Sequence, residues 1–302
     1  MLVNATDIAK YLKADIIGED IGITKPQPLG KSEKHAVCFI NKDNVNERID
    51  TNILYIVSKN KYISPDSKAS YIIVDNPRLA FAKVVKKFFQ NMKKPTVSMN
   101  SIIAENAIIG DNVSIGNFCV IGEHVTIGDN TIINHNVIIS AETCIGQECY
   151  IKSGTVIGED GFGFDFEEDG TPFRLPHLGR VIIGSYVEIG AKCTIAKGTL
   201  GDTIIEDHVK IDDQVHIAHN CLIQEKTIIT ACVEISGSVT IGPKTWIGPN
   251  SSIIQKIVIG DESLIGIGAV ITKDVPSKKK YMGFEALELR KLIKVKNKIE
   301  YK

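Results

Sequence analysis

Isoleucine recurs at every sixth residue from 103 to 157, at 103, 109, 115, 121, 127, 133, 139, 145, 151 and 157. The same period resumes at 183, 189 and 195, slips around the segment GTLGD, and then holds from Ile205 through Ile271. Six is the wrong interval for a heptad coil, and no amphipathic helix keeps one residue type at that spacing. A hexapeptide period is the signature of a parallel β-helix, in which each hexad makes one flat face. Two places before each isoleucine stand small or β-branched residues, among them Val113, Cys119, Thr131, Val137, Thr143 and Cys149. Side chains two apart share one side of a strand, so these residues are expected to point inward beside the isoleucines. Gly110, Gly116, Gly122, Gly128 and Gly146 each follow an isoleucine and are expected at the corners between faces, where a backbone without Cβ turns most readily. Three faces then close one coil of about 18 residues.

Residues 1–95 lack this period. NATDIAKYLKA reads as a capped amphipathic helix, NILYIV and ASYIIVDN as buried strands, and PRLAFAKVVKKFF as a helix opened by Pro77. The expected organisation is therefore mainly β. A small α/β head spans 1–95, with Pro95 at the junction, a β-helix domain spans 96–276, and a basic helical tail spans 277–302. Between Ile157 and the next coil lies GEDGFGFDFEEDGTPFRLPHLGR, residues 158–180, which is too long to stay within stacked coils and must leave them as a loop. Long loops in compact domains are functional or disordered, and Phe162, Phe164, Phe166 and Phe173 argue for packing, either as a flap on a neighbouring coil or subunit or as a cover over substrate.

Hydrophobic content of 43%, charged content of 24% and a net charge of -1 describe an ordinary globular chain and exclude a nucleic-acid binder that works through a basic field. No run reaches the roughly 18 apolar residues of a membrane span, and the polar N-terminal residues do not read as a signal peptide, so a cytoplasmic location is expected. The seven cysteines form no C-x-x-C pair and are expected to be small buried thiols.

The repeat resembles that of the hexapeptide-repeat acyltransferases, a resemblance that implies a left-handed coil, against the usual crossover hand, and a homotrimer. VDNPRLAFAKV, VIGEDGFGF, PHLGRVIIGSYVEIGAKCTI and DTIIEDHVKIDDQVHIAHN narrow it to the UDP-3-O-acylglucosamine N-acyltransferases of lipid A biosynthesis. That family moves a 3-hydroxyacyl group from acyl carrier protein to the amine of a UDP-linked sugar by direct transfer. The resemblance implies His219 as general base, a role suited to an imidazole that titrates near neutrality. Two places past the inward Ile217, His219 is expected to face away from the core toward a cleft. The resemblance also implies Gly237, one coil further along, as the oxyanion site, for which a backbone N–H on a rigid scaffold is well suited. Asp212 matches a family aspartate that orients or charge-stabilises a histidine. His216, Asn220, Lys256, Phe162 and Phe164 are expected to line the substrate region, and Phe39 and Asn41 in the head are expected at the nucleotide base, where an aromatic ring can stack.

Several positions depart from the family pattern. His216 stands where the family usually has Gln, Asp213 where it has Asn, Ala196-Lys197-Gly198 where it has D-R-G, and Lys256 near a second family histidine. These departures leave open a paralogue that acylates another UDP- or dTDP-linked amino sugar from a short acyl-coenzyme A. The donor in either case is a phosphopantetheine thioester, and no permanently bound cofactor or metal is expected. The lysines of the tail, Lys278, Lys279, Lys280, Lys291, Lys294 and Lys296, are suited to an acidic carrier protein or to the phosphates of coenzyme A. A zinc hexapeptide carbonic anhydrase would need converging histidines, with His208, His216 and His219 as candidates. A non-catalytic scaffold is the remaining alternative.

Overall fold

The computed structural model describes residues 2–31, 33–40, 52–59, 69–90 and 94–283. It divides into two compact units, Met1–Lys93 and Lys94–Lys302. The expected C-terminal helix from 284 onward, with Lys291, Lys294 and Lys296, and the candidate Asn41 lie outside the described residues.

The first unit is a five-stranded sheet in the order Ile16–Ile17, Ser70–Ile73, Ile53–Val57, Ala36–Phe39, Lys25–Pro26. Its first pair is antiparallel and the others are parallel. Two helices, α1 (Ala5–Leu12) and α2 (Pro77–Val84), accompany it. Asn76 caps α2 by accepting from the Leu79 N–H, with Pro77 in the first turn, where its missing N–H costs nothing. Asn4 stands at the N-terminus of α1 but makes no side-chain cap. The cap comes from Asp20, whose Oδ1 accepts from the Thr6 N–H at 2.9 Å, a partner that local pattern could not reveal.

In the second unit, two-residue strands ending in the ladder isoleucines stack into three parallel sheets of nine, nine and eight strands. Ile115 pairs with Ile133 and Ile133 with Ile151, so one coil takes 18 residues. From Ile115 to Ile271 the ladder isoleucines are at most 5% exposed, and burying each side chain contributes about 1.5–3 kcal/mol relative to leaving it in water. Two coils are longer. Ile145 pairs with Ile183 across the 158–180 insertion, and Ile183 pairs with Ile205 across GTLGD. The ladder also runs beyond residue 276, since Lys280–Tyr281 pairs with Leu264–Ile265.

The corners differ from expectation. The residue that turns with positive φ is not the glycine after isoleucine but the third residue after it, such as Asn112, Phe118, His124, Asn130, Asn136 and Glu142, with φ between 56° and 62°. A left-handed non-glycine residue costs about 1–2 kcal/mol, and a corner can recover a hydrogen bond, as where the Asn130 N–H donates to the Asp111 carbonyl at 2.8 Å. The glycines serve close approach instead. A Cβ on Gly116 would fall 2.7 Å from the Asn134 carbonyl carbon on the next coil, where no side chain fits.

The inward positions are filled as expected by Val113, Cys119, Thr131, Val137 and Cys149, all buried. The cysteines are not uniformly so, since Cys144 is half-buried and Cys232, at a corner with φ 60°, is exposed.

Candidate active site

Ala218, His219 and Asn220 form one such corner, and Asn220 takes the left-handed turn at φ 60°. Along a continuing strand, a residue two places past the inward Ile217 would itself point inward. His219 escapes the core because the strand has already ended, so the corner, not alternation, delivers its ring to the surface.

The hydrogen bonds fix the state of that ring. Asn220 Oδ1 accepts from the Thr199 N–H at 3.1 Å and from Thr199 Oγ1 at 2.8 Å, while Asn220 Nδ2 reaches the Gly201 carbonyl at 3.4 Å. The amide is thereby oriented with its oxygen toward His219, whose Nδ1 lies 3.0 Å away. A carbonyl oxygen only accepts, so Nδ1 carries a proton, and in the neutral ring Nε2 holds the free lone pair. The slipped segment GTLGD thus supplies the residues that orient Asn220.

Gly237 lies on the next coil. A Cβ there would fall 2.6 Å from Cε1 and 2.7 Å from Nε2 of His219, so only glycine leaves room for the imidazole. The Gly237 carbonyl accepts from the Lys256 N–H at 3.0 Å, whereas its own N–H has no acceptor among the described residues. His219 and Gly237, the latter with its unengaged N–H, line the same space.

That space is a cleft of about 610 Å³. The insertion contributes Asp160, Gly161, Phe162 and Arg174 to its wall, and the coils contribute Ala196, His216, His219, Glu234, Gly237 and Lys256. The insertion folds as a hairpin of Phe164–Phe166 against Pro172–Arg174. Phe162 and Phe164 lie 4.8 Å apart, and the Arg174 guanidinium sits 4.9 Å over the Phe164 ring. Lys197 holds Asp160 at 2.9 Å, and this hydrogen bond keeps the Asp160 carboxyl below its usual range. Across the cleft, His216 Nε2 lies 3.7 Å from Glu234 Oε1.

The structure adds one residue that sequence reasoning missed. His177 is buried beside His219, ring centroids 5.5 Å apart and planes at 72°. Burial pushes its pKa down, only partly opposed by the Leu175 carbonyl. Nothing in PHLG signals that contact, because it is made across the coil by a loop.

Other candidates fall elsewhere. Asp212 is exposed and does not line the cleft, because it sits on a different corner of its coil. His208, third of the histidines considered for zinc, stacks on Tyr186 at 4.8 Å and is also absent from the cleft wall. Asp213 bonds the Ala191 N–H and Lys152. Phe39 packs on Phe81 at 5.0 Å and lines a separate cavity of about 550 Å³ in the first unit, with Arg78, Lys86 and Gln90.

Stacked hexads place the chain among the hexapeptide-repeat transferases, and residues 93–123 and 238–273 match the family described as bacterial transferase hexapeptide (six repeats). The chain is 38% identical to UDP-3-O-acylglucosamine N-acyltransferase 1 of Sulfurimonas denitrificans, with 98% of each chain covered. It is 35% identical to the UDP-3-O-acylglucosamine N-acyltransferase of Campylobacter lari over 97% of this chain and 96% of that one. Against the enzyme of Herminiimonas arsenicoxydans the match is 39% over 47% of this chain, and it spans only 40% of that protein's length. Among solved structures, the UDP-N-acetylglucosamine O-acyltransferase of Moraxella catarrhalis superposes with a TM-score of 0.56 at 27% identity, covering 66% of this chain and 77% of that one. The chain belongs to the UDP-3-O-acylglucosamine N-acyltransferase family. No helix among the described residues is long and apolar enough to cross a membrane.

Proposed function

We propose that the protein transfers a 3-hydroxyacyl group from the phosphopantetheine thioester of acyl carrier protein to the amine of UDP-3-O-acylglucosamine, a step of lipid A synthesis. The observation that carries this reading is the juxtaposition of His219, whose tautomer Asn220 sets, with Gly237 on the wall of one cleft.

The amine nitrogen attacks the thioester carbonyl while His219 Nε2 takes its proton. The resulting oxyanion is held by the Gly237 N–H, a donor already fixed by the coil. The C–S bond then breaks, and the imidazolium returns its proton to the departing thiolate, leaving an amide and a free thiol. Each group acts on substrate directly, so no acyl-enzyme forms. Phe162 and Phe164 cover the acyl chain, His216 and Lys256 meet polar parts of the substrates, and Phe39 stacks on the nucleotide base in its own cavity. Asp212, which does not line the cleft of its own chain, acts in the homotrimer that the family resemblance implies.

A second reading is favoured by the cleft wall itself. Ala196, His216 and Lys256 occupy positions where the family pattern differs, which suits a different amino sugar with a short acyl-coenzyme A.

The test crosses 3-hydroxyacyl carrier protein and short acyl-coenzyme A against UDP-3-O-acylglucosamine and dTDP-linked amino sugars, with products read by mass. N-acylated UDP sugar formed only from carrier protein supports the first reading. Product only from coenzyme A and another sugar supports the second. No amide product from any pair contradicts both.

A further inference from the structure

His177 has no part in the transfer steps above, yet its surroundings are built around it. Only 4% of its surface is exposed. Its Nδ1 lies 3.0 Å from the Leu175 carbonyl, so that nitrogen carries the proton and Nε2 is left with a lone pair. Nε2 is buried and has no hydrogen-bond partner among the described residues. The Gly161 backbone runs between the two histidines, where a Cβ would fall 2.8 Å from His177 Nε2 and 3.1 Å from both Cβ and Cδ2 of His219. A Cβ on Gly163 would fall 3.1 Å from His177 Cε1, and the Gly163 carbonyl takes the Leu175 N–H at 2.9 Å. The two glycines of the GFGF motif are thus fitted to the His177 ring.

A buried neutral nitrogen without a donor is tolerable, whereas a protonated Nε2 would be a buried charged donor with no acceptor. The charged and titratable groups around it do not supply one. Asp160 favours a positive charge on His177 but is engaged by Lys197, Arg174 reaches the Gly161 carbonyl at 3.4 Å, and His219 and Lys197 both oppose that charge. Burial acts in the same direction and is the largest influence.

We propose that His177 is a positioning residue that seats the 158–180 loop over His219 only as a neutral imidazole, so that its protonation releases the loop wall of the cleft. The inference rests on His219 being the general base. Two protons then shut the enzyme at acid pH. One disables His219, and the other withdraws Phe162 and Arg174 from the substrates.

The first arm of the test needs no substrate. Nitrogen-15 histidine NMR of the whole protein is expected to show His177 protonated on Nδ1 alone at neutral pH, with the Gly161 and Gly163 amide signals following its titration. A proton on Nε2 at neutral pH, or glycine signals indifferent to the titration, would overturn the proposal. The second arm is kinetic. The acid limb of log kcat/KM is expected to approach a slope of about two in the native protein and about one in His177→Gln and His177→Phe, which are neutral at every pH. These variants are expected to lose about fivefold in kcat/KM at pH 7.5, mostly through KM. A slope of two persisting in both would contradict it. Absence of turnover in the native protein with every substrate pair would sink the acyl-transfer reading while leaving the NMR arm to decide on His177.

Discussion

His135 and His219 occupy the same place in the repeat, each two residues past an inward isoleucine, and they have opposite fates. At the first corner, His135 Nδ1 accepts from the Asn117 N–H one coil back at 2.8 Å, and the His135 N–H points to Ser153 Oγ one coil ahead at 3.3 Å. The ring is a staple between coils. At the second corner, the amide one coil back belongs to Lys197 and is already given to the Glu159 carbonyl at 3.0 Å, at the start of the loop. The position ahead is Gly237, with no side chain to meet. His219 is therefore released from stapling and turned toward Asn220. Residue type does not distinguish the two histidines; what stands one coil above and below does.

The contrast breaks most sharply if Gly237 is given the side chain that roofs His135. In Gly237→Ser the new Cβ would sit under 3 Å from the imidazole, so the ring must leave its place beside Gly237. Transfer is expected to fall by about a hundredfold to a thousandfold, the range for losing one oxyanion donor, while the melting temperature stays close to native. Asn220→Gly comes next, because glycine keeps the left-handed corner at φ 60° but removes the oxygen that fixes the tautomer. About a tenfold loss in kcat is expected, equivalent to one neutral hydrogen bond. His135→Ala should leave the rate unchanged and cost about 1 kcal/mol of stability through the freed Asn117 N–H, as read by denaturant unfolding. The smallest effect concerns the thiols. Burial pushes Cys221 up to about 11, whereas Cys232 is exposed. Iodoacetamide at pH 8 should modify Cys232 in the folded protein and reach Cys221 only after unfolding, as seen by peptide mass.

The ladder was legible because an inward isoleucine every sixth residue has one physical use, and the slip at GTLGD and the insertion at 158–180 showed as breaks in that period. The corners were less so. Left-handed turns at Asn, Phe, His and Glu carry no common residue signature, and the glycine beside each isoleucine suggested a turn where the need is room for the next coil. The pairing of His219 with Gly237 was anticipated because a step of 18 residues is one coil. The link from Thr199 to Asn220 was not, since it runs through a coil of irregular length. His177 was invisible for a related reason, as a hairpin excursion brings it back to the coil it left. Asp212 shows the converse, a residue close to His219 in sequence that a corner separates from it in space.

The mechanism depends most directly on His219 itself. The decisive measurement is the rate of amide product formation from thioester donor and amino-sugar acceptor by His219→Ala, at enzyme and substrate concentrations where the native protein turns over. A loss of about a hundredfold to ten-thousandfold in a protein that melts like the native one is the result expected for removal of a general base. Product formed by the folded variant at the native rate would contradict the mechanism.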